Sequence, residues 1–155
     1  MKISVDLIRK VRVKTGAPVI RVKKVLEQEK GNEKKAVSIL KKEGFEKIAK
    51  REGRDTSQGM IEVYAHHSAK VASVVELLCE TDFVARNELF KSLAHDLALQ
   101  VASLDAKDSK ELLKQDFIKD PTKKVSDLVK DVIVKTGENI RVGRIFRIEL
   151  GRENG

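Results

Sequence analysis

The spacing of the apolar residues changes once along this chain. Up to about residue 49 they recur every three or four positions, which is typical of amphipathic helices. Residues 50–59, KREGRDTSQG, contain no apolar residue and predict a linker. Beyond residue 60 apolar and polar residues begin to alternate, which indicates β-strands. The sequence therefore predicts an α+β protein with a three-helix module over 1–49, a linker over 50–59, and a core domain over 60–155 in which a three-stranded antiparallel sheet packs with helices.

Residues that favour helix ends mark the three helices of the first segment. Ser4 predicts the start of the first helix, and Thr15-Gly16 predicts its end. Pro18 suits the first turn of the second helix, because its missing N–H costs little there. Asn32 predicts the cap of the third helix, which Gly44 is expected to end.

Two neighbouring segments predict a β-hairpin. In the first, Ile61, Val63 and Ala65 share one face of an alternating strand. The second, residues 71–78, is nearly all apolar, as in a strand that is covered on both faces. Ser68-Ala69 lies between them, so an antiparallel pair is expected.

The remaining elements are predicted from the same two patterns, the helical spacing and the alternation of apolar residues. A broad apolar stripe predicts a helix from about Phe83 to Leu104. Residues 105–121 predict a partial helix and then a turn at Asp120-Pro121. Another amphipathic helix is expected over 126–135, and the alternation over 140–150 predicts the third strand, with Ile140, Val142, Arg144, Phe146, Ile148 and Leu150 on one face.

The chain lacks the residue patterns that enzymes and metal sites need. It contains no Gly-rich phosphate loop, no paired Cys, no His-x-x-x-His spacing and no nucleophile elbow. His66-His67 predict ordinary histidines at a strand edge rather than metal ligands. Cys79 follows an apolar run and predicts a buried strand cysteine. We therefore expect no catalytic set, no metal site, no cofactor and no small-molecule substrate.

The cellular compartment is predicted from the lack of a membrane span, a signal region and a cysteine pair in the sequence. No run of eighteen apolar residues is present, and the start MKISVDLIRKV lacks an apolar signal region. A single Cys cannot form an internal disulfide, which agrees with a reducing compartment. The expectation is a cytoplasmic protein that does not bind membranes.

The positive charge is concentrated in the first third of the chain. Residues 1–58 hold 17 Lys and Arg against 8 Asp and Glu, whereas residues 59–155 hold 15 against 16. This asymmetry indicates a surface for RNA or for an acidic protein, or else an ordinary solvated helical surface. Within 1–58 Phe45 is the single aromatic residue, so an RNA-binding module would contact backbone charge rather than bases.

The segment Cys79 to Asn87, CETDFVARN, joins the predicted hairpin to the following helix. Here an acidic and an aromatic residue, Asp82 and Phe83, lie side by side where a tight turn would push them outward. The alternative is that Thr81 or Asp82 caps the helix while Phe83 packs on its inner face, seven residues before Phe90. General principles favour the packing alternative.

Four blocks in this sequence resemble the elongation factor Ts family, in the family's order. CETDFVARNELF closely resembles its TDFVARN signature, and IEVYAHHSAKVASVVEL resembles its core hairpin. TGENIRVGRIFRIELG is similar to its closing strand. The stretch from LIRKVRVKTGAPVIRV to KKEG resembles its N-terminal module, which is similar to ubiquitin-associated domains. Together the blocks cover most of residues 5–150.

The resemblance implies a guanine-nucleotide exchange factor rather than an enzyme. Elongation factor Ts binds the GDP form of elongation factor Tu and promotes GDP release, so that GTP can bind. The family's TDFV segment acts in displacing Mg²⁺ from Tu, and the matching residues here are Thr81, Asp82, Phe83 and Val84. The family's N-terminal module contacts the nucleotide-binding domain of Tu, and the matching positions here are Thr15, Gly16, Val19 and Ile20.

The chain also departs from the family pattern. Pro18-Val19-Ile20 replaces the usual Gly-Met-Met, and core packing of Val19 or Ile20 is the alternative to partner contact. Ser68-Ala69 replaces an Asn-Gly turn, and Gly143 replaces a common Arg and predicts a bulge or a close approach. Larger members have a second core subdomain and a coiled helical insertion, neither of which fits here. A two-fold homodimer would supply the missing surface.

Overall fold

The computed structural model describes residues 2–153. It contains helices and strands in the order α1 Val5–Thr15, α2 Val19–Gln28, α3 Glu33–Glu46, a short 3₁₀ helix Ile48–Lys50, β1 Gln58–Ala65, β2 Val71–Cys79, α4 Asp82–Ala85, α5 Glu88–Ser103, α6 Ser109–Lys114, β3 Asp116–Phe117, β4 Asp120–Lys124, α7 Val125–Thr136 and β5 Ile140–Glu149. The predicted α+β class, with N-terminal helices followed by a three-stranded antiparallel sheet packed with helices, is confirmed.

The caps of the N-terminal helices lie where the sequence predicts them. The Ser4 hydroxyl accepts the Leu7 N–H at 3.2 Å, and the Asn32 side chain accepts the Lys35 N–H at 3.1 Å. Gly16 ends α1 in the left-handed conformation, with φ of 68°. The three helices enclose a small hydrophobic cluster of their own, made of Val11, Ala17, Val22, Val25, Leu26, Ala36 and Leu40.

The prediction that Gly44 ends α3 is wrong, because the helix continues to Glu46. Gly44 instead lies against α7, where an added Cβ would be 3.1 Å from both γ-methyl groups of Val134. Its lack of a side chain lets two helices approach closely, a long-range requirement that is not visible in the local sequence.

The segment after the 3₁₀ helix is held against the core by hydrogen bonds. Arg51 donates to the Ile133 carbonyl at 3.1 Å, and Arg141 donates to the Thr56 hydroxyl at 2.6 Å. Ile48 is buried in the larger hydrophobic cluster, together with residues of the sheet. The division at residues 49 and 59 stays a prediction.

The main sheet has the strand order β1-β2-β5, and both pairs are antiparallel. The predicted hairpin is confirmed, with Ala69 in its turn at φ of 59°. One face of β2 is buried, including Val75, Leu77 and Cys79. Buried α5 side chains join these residues in one cluster. The other face of β2 is only half-buried, so the prediction of a strand covered on both faces does not hold within one chain.

The alternation predicted for the last strand is interrupted by a bulge. The β2–β5 register shifts between Val75 and Leu77, opposite Gly143. A Cβ at Gly143 would overlap with the Glu76 carboxylate, which occupies that space. Because of the bulge, Val142 is buried whereas Phe146 is exposed, and the predicted single face over 140–150 is wrong.

Two further predictions between the hairpin and α7 need correction. The expected helix from Phe83 to Leu104 is divided into α4 and α5, because Asn87 starts a new helix by accepting the Leu89 N–H at 2.8 Å. Residues 105–121 form α6, β3 and the start of β4, and these two strands make a second sheet that was not predicted. Asp120 and Pro121 belong to β4, and the turn lies just before them.

Candidate partner-binding surface

The strand-to-helix junction Cys79–Asn87, which we call the corner, is built on a buried strand end. Cys79 is fully buried at the end of β2, as predicted. Burial raises the pKa of its thiol, and the negative charge of Glu138 raises it further. The thiol is therefore kept in its unreactive protonated form. Thr81 then caps α4 by accepting the Val84 N–H at 3.3 Å.

Phe83 protrudes from the corner, with 83% of its surface exposed. The next residue, Val84, is 4% exposed and packs in the core cluster. Phe90, seven residues further along, is the aromatic residue that fills the core. The alternative in which Phe83 packs on an inner helix face is therefore wrong. A large exposed aromatic beside a buried anchor is typical of a protein-contact residue rather than of a core residue.

Asp82 forms a local ion pair beside Phe83, and we call these two exposed residues the tip of the corner. Its carboxylate lies 2.7 Å from the Arg86 guanidinium, one helical turn away, and both side chains are mostly exposed. Exposed pairs of this kind contribute little to stability, so Asp82 can exchange Arg86 for a partner donor at small cost. Asp82, Phe83, Arg86 and Asn87 line a shallow surface pocket at the tip.

Glu138, which is distant in sequence, stabilises the corner through hydrogen bonds. Its carboxylate accepts the N–H groups of Glu80 at 3.2 Å and of Thr81 at 3.0 Å, and the Thr81 hydroxyl at 2.7 Å. Glu138 lies in the stretch TGENIRVGRIFRIELG, but no role is predicted for it from the sequence. No local signal could have found it, because 57 residues separate it from Thr81.

The segment Thr15–Ile20, which we call the N-terminal turn, also exposes apolar side chains. Ile20 is 84% exposed and Val19 is 45% exposed, so neither packs fully in the core. Thr15 is buried, and its hydroxyl donates to the Val11 carbonyl at 2.8 Å. Thr15 therefore supports the turn from inside, whereas Val19 and Ile20 are open to contact.

The end of α7 lies between the two surfaces. A Cβ on Gly16 would be 2.8 Å from the Lys135 Cγ, so the N-terminal turn packs directly on the last turn of α7. Gly137 ends that helix in the left-handed conformation, and the next residue, Glu138, binds the corner. The four predicted corner residues are contiguous, and this short stretch connects them to the N-terminal turn.

A third exposed surface is the outer face of the main sheet. Val63, Val74 and Phe146 lie opposite one another across β1, β2 and β5, and Ala65, Ala72 and Ile148 form the next row. Val63, Phe146 and Ile148 are exposed, as is Ile61 on the same strand as Val63. This apolar surface, which we call the outer sheet face, is too continuous to be scattered surface hydrophobicity.

Two further kinds of feature, a metal site and a membrane-spanning helix, were sought among the described residues. Within residues 2–153 no group of three or more His, Cys, Asp or Glu is arranged to hold a metal ion. Over the same residues no helix is long and apolar enough to cross a membrane.

Comparison with known proteins shows the family to which this chain belongs. The family model described as elongation factor TS matches residues 80–155, which include α7, β5 and all of the corner except Cys79. Elongation factor Ts of Thermotoga neapolitana is 38% identical over 196 aligned positions, which cover 99% of this chain and 100% of the relative. The chain belongs to the elongation factor Ts family. The relatives from Thermotoga maritima and Herpetosiphon aurantiacus are 39% and 37% identical, and each alignment covers 97% of this chain.

Membership of the elongation factor Ts family assigns this chain a role in translation elongation, as the resemblance implied. The alignment with the Thermotoga neapolitana protein extends over 196 positions although this chain has 155 residues, so the relative contains additional sequence. This shorter chain contains the corner, the N-terminal turn and the three-stranded sheet.

Proposed function

We propose that this chain is the guanine-nucleotide exchange factor of elongation factor Tu. In this proposal it binds Tu–GDP, disturbs the Mg²⁺ and phosphate site of Tu, and promotes GDP release so that GTP can bind. It makes and breaks no covalent bond and acts in the cytoplasm. The observation that carries the proposal is the exposure of Phe83 at a corner whose neighbouring residue is buried.

The energetic problem that such a factor solves is large. If GDP is held by Tu at nanomolar affinity, its binding free energy is about 12 kcal/mol, and spontaneous release is slow. Mg²⁺ neutralises and bridges the phosphate oxygens, so disturbing its coordination weakens nucleotide binding. A factor that binds nucleotide-free Tu more tightly than Tu–GDP must weaken GDP binding by the same coupling free energy.

Within this proposal the four corner residues have different tasks. Phe83 is the wedge, because a desolvated aromatic side chain gives a large contact area at low entropic cost. Asp82 gives up its ion pair with Arg86 and accepts hydrogen bonds from donor groups of Tu. Thr81, which is exposed, caps α4 and is open to contact with Tu, whereas the buried Val84 anchors the helix from inside. Val19 and Ile20 of the N-terminal turn add a second contact with Tu, for which Thr15 and Gly16 provide the support.

The direct test is stimulated release of labelled GDP from purified elongation factor Tu. We expect the native chain to accelerate release, and we expect Asp82→Ala and Phe83→Ala to lose most of that acceleration while keeping the native circular dichroism spectrum. If the native chain leaves release unchanged but binds RNA with a steep dependence on salt, the basic RNA- or ribosome-binding module replaces this proposal.

We further propose that two copies of the chain pair through the outer sheet face. The strand β2 is apolar on both sides, yet one chain covers only its inner side. A two-fold axis would place this face against itself, which gives a closed and self-complementary interface. Glu76 and Arg144 on this face pair with each other at 2.9 Å, and Arg141 donates to the Thr56 hydroxyl. Two such sheets would pack face to face as in a β-sandwich.

Sedimentation equilibrium tests the pairing. The native chain is expected at twice the mass of one chain, and Phe146→Asp is expected at the mass of one chain, because it places a charge in the apolar interface. The matched control is Ile20→Asp, an apolar residue on another surface that is even more exposed than Phe146, which should leave the dimer intact. A native chain that sediments as a monomer at working concentrations would remove the homodimer.

A further inference from the structure

Behind the corner, the Glu138 and Glu80 carboxylates each accept backbone N–H groups from the segment that contains the other residue. Glu138 follows α7, and its carboxylate accepts two consecutive backbone N–H groups, those of Glu80 and Thr81. In return the Glu80 carboxylate accepts the Asn139 N–H at 2.7 Å. The chain before α4 and the chain after α7 are thus joined side by side.

Asn139 ties this pair to the segment that precedes the sheet. Its buried side-chain amide donates to the Glu52 carbonyl at 3.3 Å and to the Arg54 carbonyl at 2.9 Å. Arg54 lies 3.6 Å from the Glu80 carboxylate. Three segments that are distant in sequence therefore meet directly behind the exposed tip.

The helix that carries the tip cannot orient itself. α4 has four residues, fewer than an isolated helix needs to be stable. Its direction depends on the residues that enter it, and the N–H groups and the hydroxyl that Glu138 holds belong to those entering residues. Hydrogen bonds to a carboxylate are stronger than those between neutral groups, so Glu138 fixes this entry firmly.

We infer that Glu138 is a positioning residue for exchange, which acts by holding Asp82 and Phe83 in the direction that reaches the metal site of Tu. This inference rests on the proposed function. Glu138 contacts Thr81 and Glu80 rather than the tip itself, so its effect on exchange is transmitted through the entry to α4. Displacement of a working group by about 1 Å is enough to cost a large factor in rate.

The test separates the geometry of Glu138 from its charge. Glu138→Ala removes all three acceptor contacts, and Glu138→Asp keeps the charge but withdraws it by one methylene. Both are expected to lower the maximal rate of stimulated GDP release about tenfold, while the concentration that gives half-maximal release changes about twofold or less. Glu138→Gln keeps an acceptor oxygen for the two N–H groups and offers its NH₂ to the Thr81 hydroxyl. It is expected to stay within about threefold of the native rate.

The matched control is Glu111→Ala. The Glu111 carboxylate also accepts a backbone N–H, that of Lys107, but it lies on α6 rather than at the corner. It should leave exchange unchanged. If Glu138→Ala does not fold, Glu138→Asp and Glu138→Gln carry the same comparison.

A double-mutant cycle gives the decisive readout. If Glu138 acts through the tip, Phe83→Ala combined with Glu138→Asp is as slow as Phe83→Ala alone, because there is no wedge left to misdirect. Additive losses, or a Glu138→Asp variant with native rates, would overturn the inference. A native chain that fails to stimulate release would overturn the proposed function instead, so the two failures are distinguishable.

Discussion

The corner and the N-terminal turn expose apolar side chains in the same way but are held in different ways. Each places a buried residue next to an exposed one, Val84 beside Phe83 and Ala17 before Val19 and Ile20. The corner is fixed by the Glu138 carboxylate, 57 residues away in sequence. The N-terminal turn packs on Lys135 of α7, but its hydrogen bonds lie within its own segment, where the Thr15 hydroxyl also accepts the Ala17 N–H at 3.3 Å.

This difference indicates a division of labour between the two surfaces. A tip that is braced from several segments keeps one direction and is suited to work on a small target such as a metal site. A turn whose hydrogen bonds are all local, in a small helical module with a small core, is suited to adding affinity with less demand on geometry. We therefore expect changes at the corner to alter the rate of exchange, and changes at the turn to alter affinity.

The largest contrast is expected between two phenylalanines seven residues apart. Phe83→Ala should lower stimulated GDP release at least about tenfold and change the free energy of unfolding by about 0.5 kcal/mol or less, because its ring is exposed. Phe90→Ala should lower the free energy of unfolding by about 3–5 kcal/mol, because its ring is fully buried. Urea denaturation followed by circular dichroism measures both stabilities. Similar destabilisation by the two variants would remove the distinction between tip and core.

A smaller effect is expected at the N-terminal turn. Ile20→Ala should raise the dissociation constant for Tu about fivefold and leave the maximal exchange rate unchanged, since the side chain adds contact area but does not reach the metal. Titration calorimetry and release assays at saturating factor separate the two quantities. The control is Val5→Ala, an exposed apolar residue at the other end of α1, which should bind as the native chain does. A fall in maximal rate with Ile20→Ala would contradict the division of labour.

The smallest effect concerns the acid sensitivity of the helical module. Arg21 donates to the Glu43 carboxylate from its Nε at 2.9 Å, and this hydrogen bond lowers the pKa of Glu43. A lowered folded-state pKa stabilises the fold above the unfolded value of about 4.3, and this contribution is lost as the pH falls through the folded-state pKa. The drop in melting temperature from pH 7 to pH 3 should thus be smaller in Glu43→Gln, by roughly 2 °C. Glu46→Gln, which removes a charge from the same helix, is the control, and an equal change there would contradict the assignment.

The parts of the fold that the sequence predicts correctly depend on local chemistry. Ser4 and Asn32 cap helices because their short side chains reach N–H groups three residues ahead, and Gly16 ends α1 because it adopts a positive φ. The hairpin around Ala69 follows from strand periodicity alone. Gly143 was correctly expected to mark a bulge or a close approach, although the change of face that follows from it was missed.

The features that the sequence does not predict all depend on partners far along the chain. Gly44 looks like a helix end until Val134 is placed against it. The second sheet is organised by Gln100, whose buried side chain donates to the Asp116 carbonyl and accepts the Ile118 N–H. At the corner the sequence places Asp82 and Phe83 where a turn would push them outward, and Phe83 is indeed exposed, but the hydrogen bonds that Glu138 makes behind them cannot be read from nearby residues.

The proposed action of the tip on the metal of Tu can be measured through release of labelled GDP with and without Mg²⁺. Release from Tu at saturating factor is compared between the native chain and Phe83→Ala, once in millimolar Mg²⁺ and once in excess chelator. If the tip displaces the ion, we expect a native-to-variant ratio of about tenfold or more with the metal, which falls to about twofold or less without it, because there is then no ion to displace. An unchanged ratio in the two conditions would show that the tip does not act on the metal.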